Sequence, residues 1–260
     1  MKALTYGSYL ELEQLLSLQQ PRPSLEHDEM LFIVTHQVYE LWFKEILHEL
    51  DRVKAMLAAG DPYQAQHTLK RILTILKVLV AQLDILETMT PLEFLSFRER
   101  LEAASGFQSD QFRAIEFELG KKSEAAIARF PEGSRARDGL TRRYREPTLW
   151  HAFLAYLARE GYPIPEDALA SPAAEPIRPS PGVQAALLEV YRKDAKNSEL
   201  CERMVDLDEG IQEWRYRHVK MVERTIGTRS GTGGSAGSEY LRSTLGQPLF
   251  PDLWEIRAQL

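Results

Sequence analysis

The sequence contains very little cysteine, since Cys201 is the only one among 260 residues. A single thiol excludes an intrachain disulfide and a zinc site built from several cysteines. Chains without disulfides are typical of reducing compartments, so we expect a cytoplasmic protein. The first residues also lack the apolar core of a signal peptide, because Glu11 and Glu13 interrupt it.

Long apolar runs and concentrated positive charge are missing as well. The most apolar stretch, 72–86, contains Lys77 and Asp84 and is shorter than a membrane span. The net charge is −6, and three acidic residues interrupt the basic stretch 121–145, which Glu146 follows. We therefore expect neither a membrane nor a nucleic acid as a partner.

What the sequence has in abundance is helical periodicity. Between Glu29 and Leu57, apolar residues recur in steps of three to five and form one broad stripe. Asp61-Pro62 predicts the start of a second helix, and Thr90-Pro91-Leu92-Glu93 resembles a capping box that opens a third. No alternating run indicates a strand, so we predict an all-α fold. The two longest patterns exceed about 25 residues, which favours subunits that associate through helices.

Proline is concentrated in one stretch, because six of the 14 prolines lie between Pro163 and Pro181. This composition rules out a regular helix and fits either a domain linker or a long surface excursion. The flanking helices both carry candidate site residues that have to meet. We therefore predict a single domain over residues 1–260 with a surface excursion at about 163–181.

His218 lies on an apolar helix stripe. The predicted helix 201–226 places Trp214 and Met221 on the same face as this histidine, a position typical of core residues. One interpretation is a buried histidine bonded to a backbone carbonyl. The other is a metal or haem ligand, for which a neutral imidazole on a rigid helix is well suited.

Two arginines precede this histidine closely in the sequence. Arg215 and Arg217 either meet the propionates of a bound haem or lie at the surface, which is the usual place for an arginine beside a core stripe.

His36 lies between aromatic residues on another helix. Phe32 precedes it by four positions and Phe43 follows it by seven, so the three side chains share a face. This histidine either covers the edge of the core or forms the wall of a pocket for a flat aromatic molecule.

Two further segments are informative only in combination with these histidines. Arg98 follows Phe94 and Phe97, where its guanidinium either faces solvent or holds a carboxylate through paired hydrogen bonds. The segment 231–237 matches a dinucleotide-binding glycine pattern, but no strand precedes it, so the match carries little weight. It is either a flexible connection or a loop that closes over a bound molecule, with Thr232 supplying a hydroxyl.

Taken together, these segments resemble the tryptophan 2,3-dioxygenase family nearly from end to end. Several blocks in the family's order are more specific than any single motif. The matching blocks are 4–10, 27–37, 40–44, 48–50, 97–98, 105–109, 217–222, 226–228 and 231–235.

The resemblance implies a helical haem enzyme that cleaves the indole C2–C3 bond of L-tryptophan with O₂ and yields N-formyl-L-kynurenine. It also implies ferrous haem b as cofactor and a homotetramer. Two alternatives remain, namely a haem-dependent monooxygenase of an indole or aromatic amino acid in the same superfamily, and a haem sensor without turnover.

The resemblance also implies roles for individual residues. His218 matches the axial ligand of the haem iron and His36 the catalytic histidine that hydrogen-bonds the indole N–H, while Ser105 and Gly106 match a segment over the haem pocket. The positions that match substrate-binding residues are Phe32, Ile33, Val34, Thr35, His36, Phe94, Arg98 and Thr232, together with Tyr6, Tyr9 and Leu10, which family members lend to a neighbouring subunit's site.

Overall fold

The computed structural model describes residues 3–22, 26–102, 104–231 and 238–260. All regular structure within these ranges is helical, which confirms the predicted all-α class. No helix in the described part of the chain is long and apolar enough to cross a membrane.

The helices differ greatly in length, and the three longest form the framework. In chain order the α-helices are α1 (Tyr6–Tyr9), α2 (Leu12–Leu15), α3 (Asp28–Ala59), α4 (Pro62–Leu86), α5 (Pro91–Arg98), α6 (Asp110–Glu118), α7 (Glu124–Ile127), α8 (Arg135–Arg145), α9 (Leu149–Arg159), α10 (Glu166–Leu169), α11 (Pro181–Lys193), α12 (Ala195–Ile226), α13 (Ser238–Ser243) and α14 (Pro251–Glu255). Single turns of 3₁₀-helix lie at Glu99–Leu101, Gly106–Gln108 and Ile256–Gln259.

A two-residue connection makes α3 and α4 a helical hairpin. Gly60 ends α3 with φ 76°, a left-handed conformation that glycine adopts without strain. Asp61 then caps α4 by accepting a hydrogen bond from the Gln64 amide at 3.0 Å, and Pro62 occupies the first helical position, as predicted. The apolar stripe of α4 and the second half of the α3 stripe are buried in the main core, where Val53 and Leu69 are fully enclosed. In the first half of α3 the prediction was wrong for Val34 and Leu41, which are exposed.

The long helix α12 packs against α4 and completes this framework. It begins at Ala195, six residues before the predicted start at Cys201, because the Asp194 carboxylate caps it by accepting from the Asn197 amide at 3.1 Å. At Gly210 the two helices approach closely, since a Cβ there would lie 3.1 Å from Leu76 Cδ1. The stripe of α12 faces the core over most of its length, so the side chains after Trp214 extend into the cavity described below.

The proline-rich stretch contains only the short α10 and otherwise runs without regular structure. It is fastened at several points. His151 Nε2 lies 3.1 Å from the Ser171 carbonyl oxygen, and the Ser180 amide donates to Asp252 Oδ1 at 2.8 Å. Between these points Ile177 lies against Gly120.

Candidate functional site

A cavity of about 270 Å³ lies where α3, α5 and α12 converge. Its wall combines one histidine from each of two long helices with an arginine at the end of α5. The residues singled out from the sequence that line it are Phe32, His36, Phe94, Arg98, Ser105, Gly106 and His218.

His218 faces this cavity with a free imidazole. Burial, followed by the nearby His36, lowers its pKa to about 4, so the ring is neutral at physiological pH. Within the described ranges no hydrogen bond to either ring nitrogen occurs, which excludes the interpretation of a carbonyl-bonded core histidine there. A neutral imidazole with an available lone pair is suited to bind a metal ion.

Aromatic side chains form the floor on the His218 side. The Trp214 indole lies parallel to the His218 ring at an interplanar angle of 6°. Phe43 and Phe112 contact the opposite part of Trp214 with centroid distances of 6.2 and 4.8 Å. Such packing fixes the imidazole and keeps bulk water from it.

The hydrogen bond of His36 determines its tautomer. Its Nδ1 lies 2.7 Å from the carbonyl oxygen of Phe32, and because a carbonyl only accepts, Nδ1 carries the proton. Burial by the surrounding protein lowers the pKa of His36, although its ring remains accessible from the cavity. The neutral ring therefore presents Nε2 as a hydrogen-bond acceptor. Phe32 packs beside it with ring centroids 4.0 Å apart and the ring planes tilted by 37°.

Helix α5 brings Arg98 to the cavity. The helix opens with the predicted capping box, in which Thr90 Oγ1 accepts from the Glu93 amide and the Glu93 carboxylate accepts from the Thr90 amide. At its other end Arg98 Nη2 donates to the Ser230 carbonyl oxygen at 2.5 Å. Phe94 stands one turn earlier and is half-buried in the cavity wall, where it offers no hydroxyl group.

A cluster of charges lies at another edge of the cavity and was only partly predicted from the sequence. Arg215 belongs to it, Arg217 does not line the cavity, and Arg113 and Glu116 had not been singled out. Glu116 pairs with Arg113 at 2.6 Å and with Arg215 at 2.8 Å. Arg113 Nε and Arg215 Nη1 are buried and have no hydrogen-bond partner among the described residues. These two guanidinium nitrogens, and the net positive charge of two arginines paired with one glutamate, are therefore available to bind an anion. The only signal in the sequence was an arginine next to the core stripe, which is ordinarily a surface residue.

These features fit a haem better than a bare metal ion. In the described part of the chain, no group of three or more His, Cys, Asp or Glu side chains is placed to hold a metal. His218 would supply a single ligand to a metal ion, and a macrocycle such as haem would supply most of the remaining coordination. The unpartnered nitrogens of Arg113 and Arg215 would meet the anionic propionates of such a group.

Other residues singled out from the sequence lie outside the lining. Val34 is exposed, Thr35 is buried with its carbonyl oxygen bonded to Gln82 Nε2 at 2.8 Å, and Ile33 does not reach the cavity. In the family-derived substrate wall, only the first and last residues of the 32–36 turn face the cavity. This follows from helix geometry, because residues four apart project together and those between them do not.

The remaining candidates lie in the N-terminal segment and in the glycine-rich loop. Tyr6, Tyr9 and Leu10 are exposed on and after α1 and do not line this chain's own cavity. Thr232 lies outside the described residues, whereas the preceding Gly231 is part of the cavity wall.

Comparison with known proteins gives a consistent result. The family model described as tryptophan 2,3-dioxygenase matches residues 1–163 and 180–260. The tryptophan 2,3-dioxygenase of Herpetosiphon aurantiacus is 56% identical over 260 residues, covering 100% of this chain and 99% of the relative. Those of Anaeromyxobacter sp. (strain K) and Caulobacter vibrioides are 56% and 45% identical, each over 99% of this chain and 97% and 98% of the relative. The chain therefore belongs to the tryptophan 2,3-dioxygenase family.

Proposed function

We propose that this protein opens the indole ring of L-tryptophan with O₂ to give N-formyl-L-kynurenine, using haem b bound through His218. The observation that carries the proposal is one cavity that joins a free imidazole, a second imidazole with a defined acceptor atom, and an arginine. A haem sensor would not require the second and third of these groups.

The haem, when bound in its ferrous form, supplies the activation of O₂ that the protein's side chains cannot provide. His218 would hold the iron through one nitrogen, with Trp214 fixing the ring plane. Arg113 and Arg215 would hold the propionates. The protein's own contribution is therefore binding, orientation and exclusion of water.

Arg98 is the residue that would bind the substrate carboxylate. Its guanidinium has a planar fork that matches a carboxylate through two hydrogen bonds. Arg98 Nη2 donates to the Ser230 carbonyl oxygen, two residues before Thr232. The other N–H groups of the guanidinium would pair with the substrate carboxylate through charge-assisted hydrogen bonds. Thr232 would contact the amino-acid head group, as the family resemblance implies.

His36 would position the indole ring through its Nε2. This atom is an acceptor because Nδ1 already donates to the Phe32 carbonyl, so it can receive the indole N–H directly. The indole N–H is a very weak acid, far from the pKa match that efficient proton transfer needs. We therefore assign His36 the task of fixing the ring and not that of an obligatory base, with Phe32 and Phe94 packing against the substrate's apolar surface.

We further propose that the protein acts as a homotetramer. Apolar side chains are exposed on the outer faces of α3 and α4, where Leu41 and Ile85 keep about half of their surface. The N-terminal segment is also unpacked, with Tyr6 and Tyr9 exposed by 76% and 69%. Apolar side chains left exposed on long helices are available for contacts between subunits. A tetramer would bury them and bring the N-terminal aromatics to a neighbour's cavity.

A reducing, cytoplasmic location fits the same proposal. The single thiol, Cys201, is fully buried, and burial raises its pKa well above the usual range. It is therefore unreactive and has no role in cross-linking.

One experiment tests the proposed reaction. The haem-loaded protein is reduced without oxygen, L-tryptophan and air are added, and product mass is followed together with the Soret band. We expect a product heavier than tryptophan by two oxygen atoms, and loss of both haem and product in His218→Ala. Addition of one oxygen atom would identify a monooxygenase, and a stable haem spectrum without product would indicate a sensor.

A further inference from the structure

A second cavity of about 400 Å³ lies beside the first, and the proposed reaction does not use it. It is formed around the loop 119–123, between α6 and α7, and it shares Arg113 and Glu116 with the wall of the main cavity. We refer to it as the basic cavity.

The basic cavity carries more positive than negative charge. Four cationic side chains line it and one carboxylate faces them, namely Arg113, Lys121, Lys122 and Arg129 against Glu116. The carboxylate is already engaged, because Glu116 pairs with Arg113 and with Arg215. Lys122 donates to the Arg143 and Tyr144 carbonyl oxygens at 2.9 Å and so serves the end of α8.

The two remaining cations form no ion pair among the described residues, although Glu116 and Asp208 offset part of the effect of burial on the pKa of Lys121. Lys121 is half-buried, and its Nζ donates to the neutral amide oxygen of Gln247 at 3.2 Å. Arg129 stands at the mouth with its guanidinium 5.6 Å from the centre of the Phe107 ring. Burial, together with the nearby charge of Arg215, lowers the pKa of Lys121 to about 8. A bound anion would offset the free-energy cost of the half-buried positive charge on Lys121.

The proline-rich stretch forms an apolar wall of the same cavity. Pro176, Ile177 and Pro248 line it in addition to the cations. The approach at Ile177 is close enough to require glycine, because a Cβ on Gly120 would lie 2.3 Å from Ile177 Cδ1, and Gly120 has φ +93°. Pro176 and Ile177 belong to residues 164–179, which the family model does not match.

We propose that the basic cavity binds a small organic anion, a carboxylate with an apolar body, at a site separate from the tryptophan cavity. Lys121 and Arg129 would pair with the carboxylate, and Pro176, Ile177 and Pro248 would cover the apolar part. A fully hydrated inorganic ion would leave this wall without a partner, so the composition favours an organic acid.

The first test uses benzoate as the probe and calorimetry of the haem-loaded protein with saturating L-tryptophan, which occupies Arg98. We expect benzoate to bind, and benzamide, which has the same shape without the charge, to bind at least about tenfold more weakly. Inorganic phosphate should bind more weakly than benzoate. Equal binding of benzoate and benzamide, or tighter binding of phosphate, would overturn the proposal.

Variants locate the binding site. Lys121→Gln should weaken benzoate binding about tenfold or more, because it removes a charge-assisted partner. Arg129→Gln provides a second variant should Lys121→Gln fold poorly, as judged by its melting temperature and Soret band. Lys70→Gln, at an exposed position on α4, is the control and should bind as the parent does.

The competing assignments give different results. Benzoate binding that survives both Lys121→Gln and Arg129→Gln would place the anion elsewhere and overturn the proposal. Binding that occurs only in the haem-free protein would show that Lys121 and Arg129 bind the haem propionates. This result would also overturn the proposal. Absence of turnover concerns the proposed reaction alone, because the calorimetric signal does not depend on turnover.

Discussion

The Trp214 indole lies parallel to the His218 imidazole, with ring centroids 5.2 Å apart. Both residues belong to α12 and stand four positions apart, where a helix brings side chains together. The indole therefore fixes the plane of the imidazole through a contact within a single helix, and the core behind it fixes the indole.

Removing this contact should loosen the haem. Trp214→Leu leaves the imidazole without a stacked neighbour, and aromatic pairs contribute about 0.5–1.5 kcal/mol beyond area burial. We expect haem loss to apomyoglobin to become about two- to tenfold faster. Trp214→Phe retains a ring and should lie close to the parent, whereas equal rates for the parent and the leucine variant would refute a positioning role.

The shape of the Arg98 guanidinium should matter as much as its charge. In Arg98→Lys the ammonium cannot reproduce a bidentate contact, so we expect the KM for tryptophan to rise about tenfold with unchanged haem content. Steady-state kinetics and the Soret absorbance measure the two quantities. Arg135→Lys, at an exposed position on α8, is the matched control. A parental KM in Arg98→Lys would mean that Arg98 does not hold the carboxylate.

His36→Ala should weaken catalysis without abolishing it. The variant loses one hydrogen bond to the indole N–H, for which about 1–2 kcal/mol, or a drop of roughly five- to thirtyfold in kcat/KM, is expected. Turnover measured per bound haem separates this effect from poor haem loading. No detectable turnover at normal haem content would contradict the assignment and make His36 an essential base.

A buried carboxylate holds the C-terminal segment against α12. Asp208 Oδ2 accepts hydrogen bonds from the Leu249 and Phe250 amides at 2.7 and 3.0 Å and from Trp254 Nε1 at 3.0 Å. Asp208→Ala leaves three donors without this partner, so we expect the free energy of unfolding to fall by about 3 kcal/mol or more. Urea denaturation measures the change. Asp208→Asn keeps an acceptor oxygen and should lose less, and the reverse order would contradict this explanation.

The stability of the protein should depend on pH through Asp252. Burial raises the pKa of this carboxyl above its ordinary value of 3.8, although the Ser180 amide and Gln184 donate to it. The folded protein therefore binds more protons than the unfolded chain between pH 3.8 and the raised value, and this contribution falls as pH rises through that window.

Asp252→Asn removes the titration at this position. The melting temperature of the variant relative to the parent should therefore be higher at pH 7 than at pH 4. Thermal unfolding at the two pH values gives this difference directly. A pH-independent difference would show that burial does not penalise the charged form.

The local features of the site were predictable from the sequence. The stripe on α12 placed His218 on the core face, and the spacing of Phe32 and His36 placed both on one face of α3. The cap at Asp61 and the box at Thr90 were also confirmed, because capping depends on residues within one turn. The start of a helix with a less distinctive cap was harder to predict, and the predicted start of α12 was six residues too late.

The contacts between distant segments were not predictable. Arg98 and Ser230 are 132 positions apart, and no periodicity indicates that they meet. The pairing of Arg215 with Glu116 likewise requires α12 to meet α6, whereas the Arg113–Glu116 pair lies within α6. Arginine beside a core stripe is usually a surface residue, so the sequence alone did not predict the buried position of Arg215.

The sequence by itself determined the helical class, the faces that the long helices bury and the resemblance to a family, since these depend on residue spacing and local order. Only the tertiary structure decided which helices meet around the main cavity. It also decided that Ile177 packs on Gly120, which forms part of the basic cavity. The physical reason is that an apolar stripe requires burial but does not specify its partner. The choice of partner follows from the packing of the whole chain.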